Sequence, residues 1–262
     1  MVNTAISPLD IHAAAEVLQK VVIKTPLQYH RKLSLRFGCD LYLKREDLQT
    51  VRSYKIRGAY NLIQGLSPRQ RANGVVCASA GNHAQGVAFS CRELGIDGVV
   101  YMPTTTPRQK INQVRMLGGT NVEVVLIGDT FDECQYHALL HAKNHKMEFV
   151  PPFDHLKIIE GQGTVAKEIL EEQGEIDMVF VPVGGGGLCA GISSYFKAFS
   201  PKTEIIGAEP LGAPSMTAAL KAGKPVVLGH IQNFVDGASV KKVGDITFGF
   251  CKDALSKMLL VP

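Results

Sequence analysis

The chain has 262 residues, of which 45% are hydrophobic and 20% charged, and its formal net charge is +4. This composition excludes a largely disordered protein, and the length allows one large domain or two smaller ones with sizeable cores. Its basic residues are scattered, so a nucleic-acid surface is not indicated. No apolar run approaches the ~20 residues that span a bilayer, and no signal peptide or CxxC pair appears. We therefore expect a cytoplasmic protein without a membrane partner.

Lys55 stands where we expect an extended segment to turn into a helix, within the run from Ser53 to Asn61. An amine at the mouth of a helix, partly removed from water, can lose its proton and attack a carbonyl. Because most lysines are solvated surface residues, Lys55 alone does not decide the function.

From residue 74 onward, short β-branched runs alternate with longer amphipathic runs. This alternation is typical of βαβ units around a parallel sheet. It predicts strands at 74–79, 98–102 and 121–127, a helix with its apolar face at 84–91 that ends near Gly95, a helix with Thr106 as N-cap and Pro107 in its first turn, and a helix over 130–145.

Pro151 and Pro152 interrupt the series, and a second series follows. It predicts a helix over 163–173, a strand over 178–183, a helix over 188–199 and a strand over 204–208. We therefore expect an α/β fold of two lobes, each with a parallel sheet flanked by helices, and a ligand in the cleft between them.

Four consecutive glycines, Gly184 to Gly187, lie between a predicted strand and a predicted helix. Backbone amides of such a loop converge on an anion, and the helix N-terminus adds a positive dipole end, so a phosphate site is favoured over a plain turn. The spacing Gly185, Gly187, Ala190 also fits a dinucleotide fingerprint, with Glu209 as the ribose-binding acid. An NAD(P)-binding oxidoreductase is therefore an alternative, although it leaves Lys55 without a role.

The segment from Ser79 to His83 lies between a strand end and a helix. Asn82 is a suitable helix N-cap, and a histidine in a first turn is more often structural than catalytic. Taken alone, this loop is as well explained by capping as by ligand binding.

Together, the segments 53–59, 79–83 and 184–187 resemble the fold-type-II pyridoxal-phosphate enzymes, the tryptophan synthase β-like class. The closer resemblance is to the biosynthetic threonine dehydratases, and it extends to 42–49, 150–155 and 161–164. It implies that Lys55 is the Schiff-base lysine and that Tyr54 packs near the pyridine ring. The remaining implied contacts are Asn82 to the ring hydroxyl oxygen, Gly184, Gly185, Gly186, Gly187 and the Leu188 amide to the phosphate, and Ser79, Ala80, Gly81, Asn82 and His83 to the substrate carboxylate.

The same resemblance implies deamination of L-threonine to 2-oxobutanoate and ammonia, and of L-serine to pyruvate, as the first committed step of isoleucine biosynthesis. It also implies a homo-oligomer. A serine racemase or serine dehydratase is an alternative, but Ala80 stands where racemases carry a serine. Ser215 replaces one acid of the racemase metal site formed with Glu209 and Ala213, so we expect no metal.

The resemblance predicts a small lobe over 45–151 and a large lobe over 1–44 and 152–262. Family members continue beyond the position of Pro262 with the rest of the catalytic domain, and biosynthetic ones add a regulatory domain. We therefore expect a large lobe truncated at its C-terminus, no regulatory domain, and weak activity of these 262 residues alone.

Overall fold

Two separate parallel sheets organise the chain in a computed structural model, which describes residues 6–262. The order of elements is α1 (Pro8–Leu18), β1 (Leu27–Tyr29), α2 (Arg31–Phe37), β2 (Tyr42–Lys44), α3 (Lys55–Gln64), α4 (Pro68–Asn73), β3 (Val75–Ala78), α5 (Asn82–Leu94), β4 (Gly98–Met102), α6 (Arg108–Gly118), β5 (Val122–Leu126), α7 (Phe131–His145), β6 (Glu148–Phe149), α8 (Leu156–Gln173), β7 (Met178–Pro182), α9 (Gly187–Phe199), β8 (Glu204–Pro210), α10 (Ser215–Ala222), α11 (Asp245–Lys252) and β9 (Lys257–Val261).

The first sheet has the order β5-β4-β3-β6, and all of its pairings are parallel. Strand β3 is buried along its whole length because helices cover both faces, as expected for Val75, Val76 and Cys77 in a central parallel strand. The loop from Ser79 to Gly81 leaves the carboxyl end of this strand, where open α/β sheets bind their ligands.

The second sheet has the order β7-β8-β9, again parallel, and its own core packs around α8, α9 and α11. The tetraglycine run follows β7 directly. A short antiparallel pair, β1 with β2, lies apart from both sheets. These sheets confirm the predicted α/β class with parallel sheets flanked by helices.

Helix α8 joins the two halves through contacts that only glycine permits. An added Cβ at Gly161 would lie 2.6 Å from the Arg57 carbonyl oxygen of α3. On the side facing α9, an added Cβ at Gly191 would lie 2.5 Å from the Gly163 amide nitrogen. The backbones of α3, α8 and α9 therefore touch directly, which fixes the helix that begins with Lys55 relative to the helix that follows the glycines.

Most of the predicted elements are confirmed within two residues, and three predictions are wrong. Helix α8 begins at Leu156 rather than at 163. The N-cap of α6 is Pro107, and the buried Thr106 hydroxyl has no hydrogen-bond partner among residues 6–262. Turn residues rather than an extended segment precede Lys55. A search of the described residues finds no helix long and apolar enough to cross a membrane.

Candidate active site

Lys55 is the first residue of α3, and its side chain points at the segment that connects β6 to α8. The Nζ atom donates a hydrogen bond to the Pro152 carbonyl oxygen at 2.7 Å and lies 5.5 Å from the centre of the Tyr54 ring. Burial lowers the pKa of Lys55 to about 8 and raises that of Tyr54 to about 12. Near neutral pH, a larger share of this amine is uncharged than in an ordinary lysine.

A buried ion-pair network fixes α3 two residues beyond Lys55. The Arg57 guanidinium is fully buried and bonds both carboxylate oxygens of Glu46, at 2.8 Å each, and both of Glu168, at 2.6 and 2.9 Å. Lys44 adds a second cation 2.6 Å from Glu168. Burial alone would raise the pKa of Glu46, but the bonds to Arg57 hold it below its usual value. The bonds from Arg57 to both carboxylates thus anchor the start of α3.

The loop after β3 presents backbone amides rather than side chains. The Ser79 hydroxyl accepts a bond from the Gly81 amide, and Gly81 is the N-cap of α5. Asn82 is therefore the first helical residue, and the alternative that its side chain caps the helix is wrong. Within residues 6–262, neither the Asn82 side chain nor the amides of Ala80, Asn82 and His83 make a hydrogen bond. These groups are available to a ligand.

The His83 side chain turns away from the loop into the protein. It is buried, and Nε2 lies 2.9 Å from the Val150 carbonyl oxygen. Burial and the charge of Lys55 lower its pKa to about 3, so the ring is neutral and Nε2–H is the donor. One turn further along α5, an added Cβ at Gly86 would lie 3.1 Å from the Lys55 backbone. Helix α5, which follows the loop, and helix α3, which begins with Lys55, thus meet at this point without a side chain between them.

The glycine loop, residues 184–187, is shaped by neighbours that crowd a Cβ at every position. Added Cβ atoms would lie 2.2 Å from the Phe153 ring at Gly185, and 3.0 Å from Ala238 at Gly184 and from Phe153 at Gly187. Gly186 has a φ of 95°, in the left-handed region that favours glycine. Among the described residues, the amides from Gly184 to Leu188 donate no hydrogen bond. The result is a bare, preorganised row of donors at the N-terminus of α9.

Helix α11 braces the glycine loop from behind. The Asp154 carboxylate accepts bonds at 3.0 Å from the amides of Asp245, Ile246 and Thr247, and so caps this helix from a distant segment. The Thr247 hydroxyl then donates to the Gly185 carbonyl oxygen at 2.6 Å. The Gly185 carbonyl therefore points towards α11.

The strip of residues 236–238 connects the glycine loop, residues 184–187, to the loop after β3, residues 79–83. The Ala238 backbone packs on Gly184, and an added Cβ at Gly237 would lie 3.9 Å from the Asn82 Nδ2 atom. An ion pair joins Asp236 to Lys110 of α6. The structure thus brings together all the residues selected from the sequence through contacts with one another, with this strip and with the segment 150–154. These residues are Tyr54, Lys55, Ser79 to His83 and Gly184 to Leu188.

Sequence reasoning missed the parts played by Phe153, Asp154 and Thr247. Phe153 and Asp154 belong to the run 150–155 that carries the resemblance, but nothing local indicates their partners. The interpretation of Glu209 as a ribose-binding acid is wrong, because its buried carboxylate accepts the amides of Met216 and Thr217 at 3.0 and 2.8 Å and caps α10.

Comparison with known proteins gives consistent matches. Residues 18–262 match the family described as pyridoxal-phosphate dependent enzyme. The chain is 53% identical to the biosynthetic L-threonine dehydratase IlvA of Staphylococcus epidermidis over 99% of its length, and 53% identical to that of Halalkalibacterium halodurans over 97%. It spans 63% and 61% of the lengths of these two relatives.

Solved structures show the same similarity. A processed form of threonine deaminase isoform 2 from Solanum lycopersicum matches with a TM-score of 0.90 and 45% identity, covering 98% of this chain and 76% of that one. A maize serine racemase matches with a TM-score of 0.93 and 31% identity, covering 98% and 77%.

Proposed function

This chain belongs to the family of pyridoxal-phosphate-dependent enzymes, and from that premise we propose that it deaminates L-threonine to 2-oxobutanoate and ammonia, and L-serine to pyruvate. The observation that carries the proposal is a half-buried lysine amine flanked by two rows of open backbone amides. Its helix packs on the helix that follows the loop 79–83, and the segment that accepts its hydrogen bond packs on the glycine loop. Relatives named threonine dehydratase, at 53% identity, support the choice of substrate.

The residues present fit pyridoxal phosphate. Its phosphate would lie on the amides from Gly184 to Leu188, which donate no hydrogen bond within residues 6–262. Its aldehyde would bond to Lys55, beside the Tyr54 ring, and its ring hydroxyl oxygen would accept from the free Asn82 side-chain amide. Among residues 6–262, the Asn82 side chain and the amides from Gly184 to Leu188 make no hydrogen bond that would compete with the cofactor.

The substrate carboxylate would lie on the amides of the loop from Ser79 to His83. These amides are at the N-terminus of α5, whose dipole favours an anion. The loop is short and its Ser79 hydroxyl is already bonded to Gly81, so its geometry is set before a ligand arrives. That preorganisation would orient the substrate's Cα proton towards Lys55.

Bound pyridoxal phosphate supplies an electron sink for negative charge at the substrate Cα. Lys55, with its pKa near 8, would remove the Cα proton as a neutral amine. Ala80 offers no hydroxyl from which the opposite face could be reprotonated, so loss of the β-hydroxyl as water would prevail over racemisation. Water then hydrolyses the bond between the substrate nitrogen and Cα, so the nitrogen leaves as ammonia and the 2-oxo acid remains.

The structural similarity to a serine racemase keeps racemisation as a second candidate function. Chiral analysis of serine after incubation separates the two. Accumulation of D-serine faster than pyruvate would favour the second candidate over the first.

We extend the proposal to the setting of the enzyme: a cytoplasmic homo-oligomer that acts in the first committed step of isoleucine biosynthesis. We also propose a small lobe over 45–151 and a large lobe over 1–44 and 152–262. Supporting this division, one buried cluster draws mainly on residues between 159 and 251, and two others on residues between 51 and 158.

A direct test starts with the purified protein mixed with pyridoxal phosphate. We expect long-wavelength absorption, and after borohydride reduction and proteolysis the cofactor should be found on the peptide that contains Lys55. A Lys55→Ala variant should lose both signals and form no 2-oxobutanoate from threonine. Identical behaviour of the variant and the wild type would refute the proposal.

A further inference from the structure

The segment from Val150 to Asp154 contacts every part of the candidate site, although none of its side chains belongs to the row of ligand-binding groups. Its Val150 carbonyl accepts from His83 at 2.9 Å, and its Pro152 carbonyl accepts from Lys55 at 2.7 Å. Phe153 packs against the glycine loop, and Asp154 caps α11. The segment is therefore placed to set the position of the lysine amine.

We infer that His83 is a positioning residue. Its hydrogen bond to the Val150 carbonyl fixes the position of the Pro152 carbonyl, which accepts a hydrogen bond from the free Lys55 amine. This inference rests on the proposed function only in taking Lys55 as the lysine that bonds the cofactor. His83 is buried on α5 and acts through the peptide rather than by touching the substrate.

Two consecutive prolines make the connection between the two carbonyls stiff. Pro151 and Pro152 each have a ring-locked φ, and a residue that precedes a proline is itself confined to extended conformations. A displacement of the Val150 peptide is therefore passed on to Pro152 instead of being absorbed. The Val150 amide, in the preceding peptide group, donates to the Val76 carbonyl at 2.8 Å and so ties the same residue to the central strand β3.

The far end of the segment is also anchored, and at the near end the His83 side chain holds the Val150 carbonyl. Phe153 lies within contact distance of Gly185 and Gly187, and Asp154 accepts three amides of α11. Clamped between these anchors and His83, the Pro152 carbonyl offers a fixed acceptor. One N–H of the Lys55 amine donates to it, and this orients the nitrogen lone pair when the amine is uncharged.

Two substitutions separate this role from a general structural one. Gln at position 83 retains a side-chain N–H at the distance of Nε2, whereas Ala removes it. Asn61→Ala is a matched control, because the buried Asn61 side chain donates to the Lys157 carbonyl at 2.7 Å, beyond the segment and in the first turn of α8. Thermal unfolding of all three variants reports on general damage.

The decisive measurement is the pH midpoint of Lys55 acetylation in the cofactor-free protein, read by mass spectrometry. A carbonyl acceptor favours the ammonium form, so His83→Ala should lower this midpoint, while His83→Gln and Asn61→Ala should keep the wild-type value. In the loaded enzyme, His83→Ala should lower kcat about 10-fold with a smaller change in KM, since it misplaces the amine rather than the substrate.

An unchanged midpoint in His83→Ala, an equal shift in Asn61→Ala, or no rescue by His83→Gln would overturn the inference. Failure of the proposed function has a different signature. In that case wild-type protein would not acquire pyridoxal phosphate on Lys55, whatever the acetylation midpoints of the cofactor-free variants.

Discussion

Gly161→Ala tests whether the crossing of α3 and α8 sets the position of Lys55, the proposed catalytic lysine. The added methyl would lie 2.6 Å from the Arg57 carbonyl oxygen and 2.7 Å from the Gly58 Cα atom. Both are backbone atoms, so no side chain can rotate away. Ordinary contact begins near 3.4 Å, and the two helices must therefore separate by about 0.8 Å at this point.

Two opposing effects set the magnitude of the change in stability. Overpacking of this kind costs about 1–3 kcal/mol, and alanine in place of glycine within a helix returns about 1 kcal/mol. We expect a net loss near 1 kcal/mol, or about 2–4 °C in Tm for a chain of this size. The activity should suffer far more, because a misplacement close to 1 Å can reduce kcat about 100-fold.

The assay compares Tm, cofactor absorption and kcat with those of Gly249→Ala. Gly249 is exposed on α11, and an added Cβ there meets nothing within 4 Å. That control should gain about 1 kcal/mol in stability with an unchanged kcat. If Gly161→Ala behaved like the control, with a raised Tm and near wild-type turnover, the reasoning about the helix crossing would be refuted.

Three further predictions concern charge. Replacing Arg57 by Met removes the cation that pairs with the Glu46 carboxylate and leaves Glu168 paired with Lys44 alone, so it should cost about 3–5 kcal/mol in urea unfolding; a loss below about 1 kcal/mol would contradict this. In cofactor-free protein, the native pKa of Lys55 near 8 lies below its ordinary 10.5, so the unfolded chain binds more protons between these values. The stability of the wild type relative to Lys55→Met should therefore rise from pH 8 to 10.5, and a flat difference would argue against a buried amine. Asp236→Asn removes an exposed ion pair worth about 0–1 kcal/mol, so KM should rise up to about five-fold at low salt and the effect should vanish at 1 M salt, where the Debye length is about 3 Å.

Local patterns were sufficient to predict strands and helices whose signal is hydrophobic alternation. They failed where a glycine is present because another backbone packs against it. Gly161 and Gly163 lower the helix propensity, so the pattern places the start of α8 at 163. In the structure the helix begins at Leu156. The two glycines are tolerated because neighbouring backbones pack against them.

Site residues were predicted where one local segment is enough to indicate their role. They were missed where the role depends on a contact between segments that are distant in the sequence. The glycine run and the lysine motif each have a local meaning. The role of Asp154 depends on amides more than 90 residues away, and the His83 partner lies 67 residues away. Glu209 has a suitable spacing for a ribose acid, but only the folded chain shows that both of its oxygens already hold α10.

The chain's own carboxylates decide where foreign anions can bind. A helix N-terminus attracts any anion, whether phosphate or carboxylate. Asp154 caps the N-terminus of α11 and Glu209 caps that of α10, whereas no side chain among residues 6–262 caps α5 or α9. Two competing destinations are thereby withdrawn, and the N-termini of α5 and α9 stay available to the negative groups of the proposed ligands. In the proposed complex, a bound pair that carries one anion for each of these two helix ends is held at both, whereas a single free anion is held at only one.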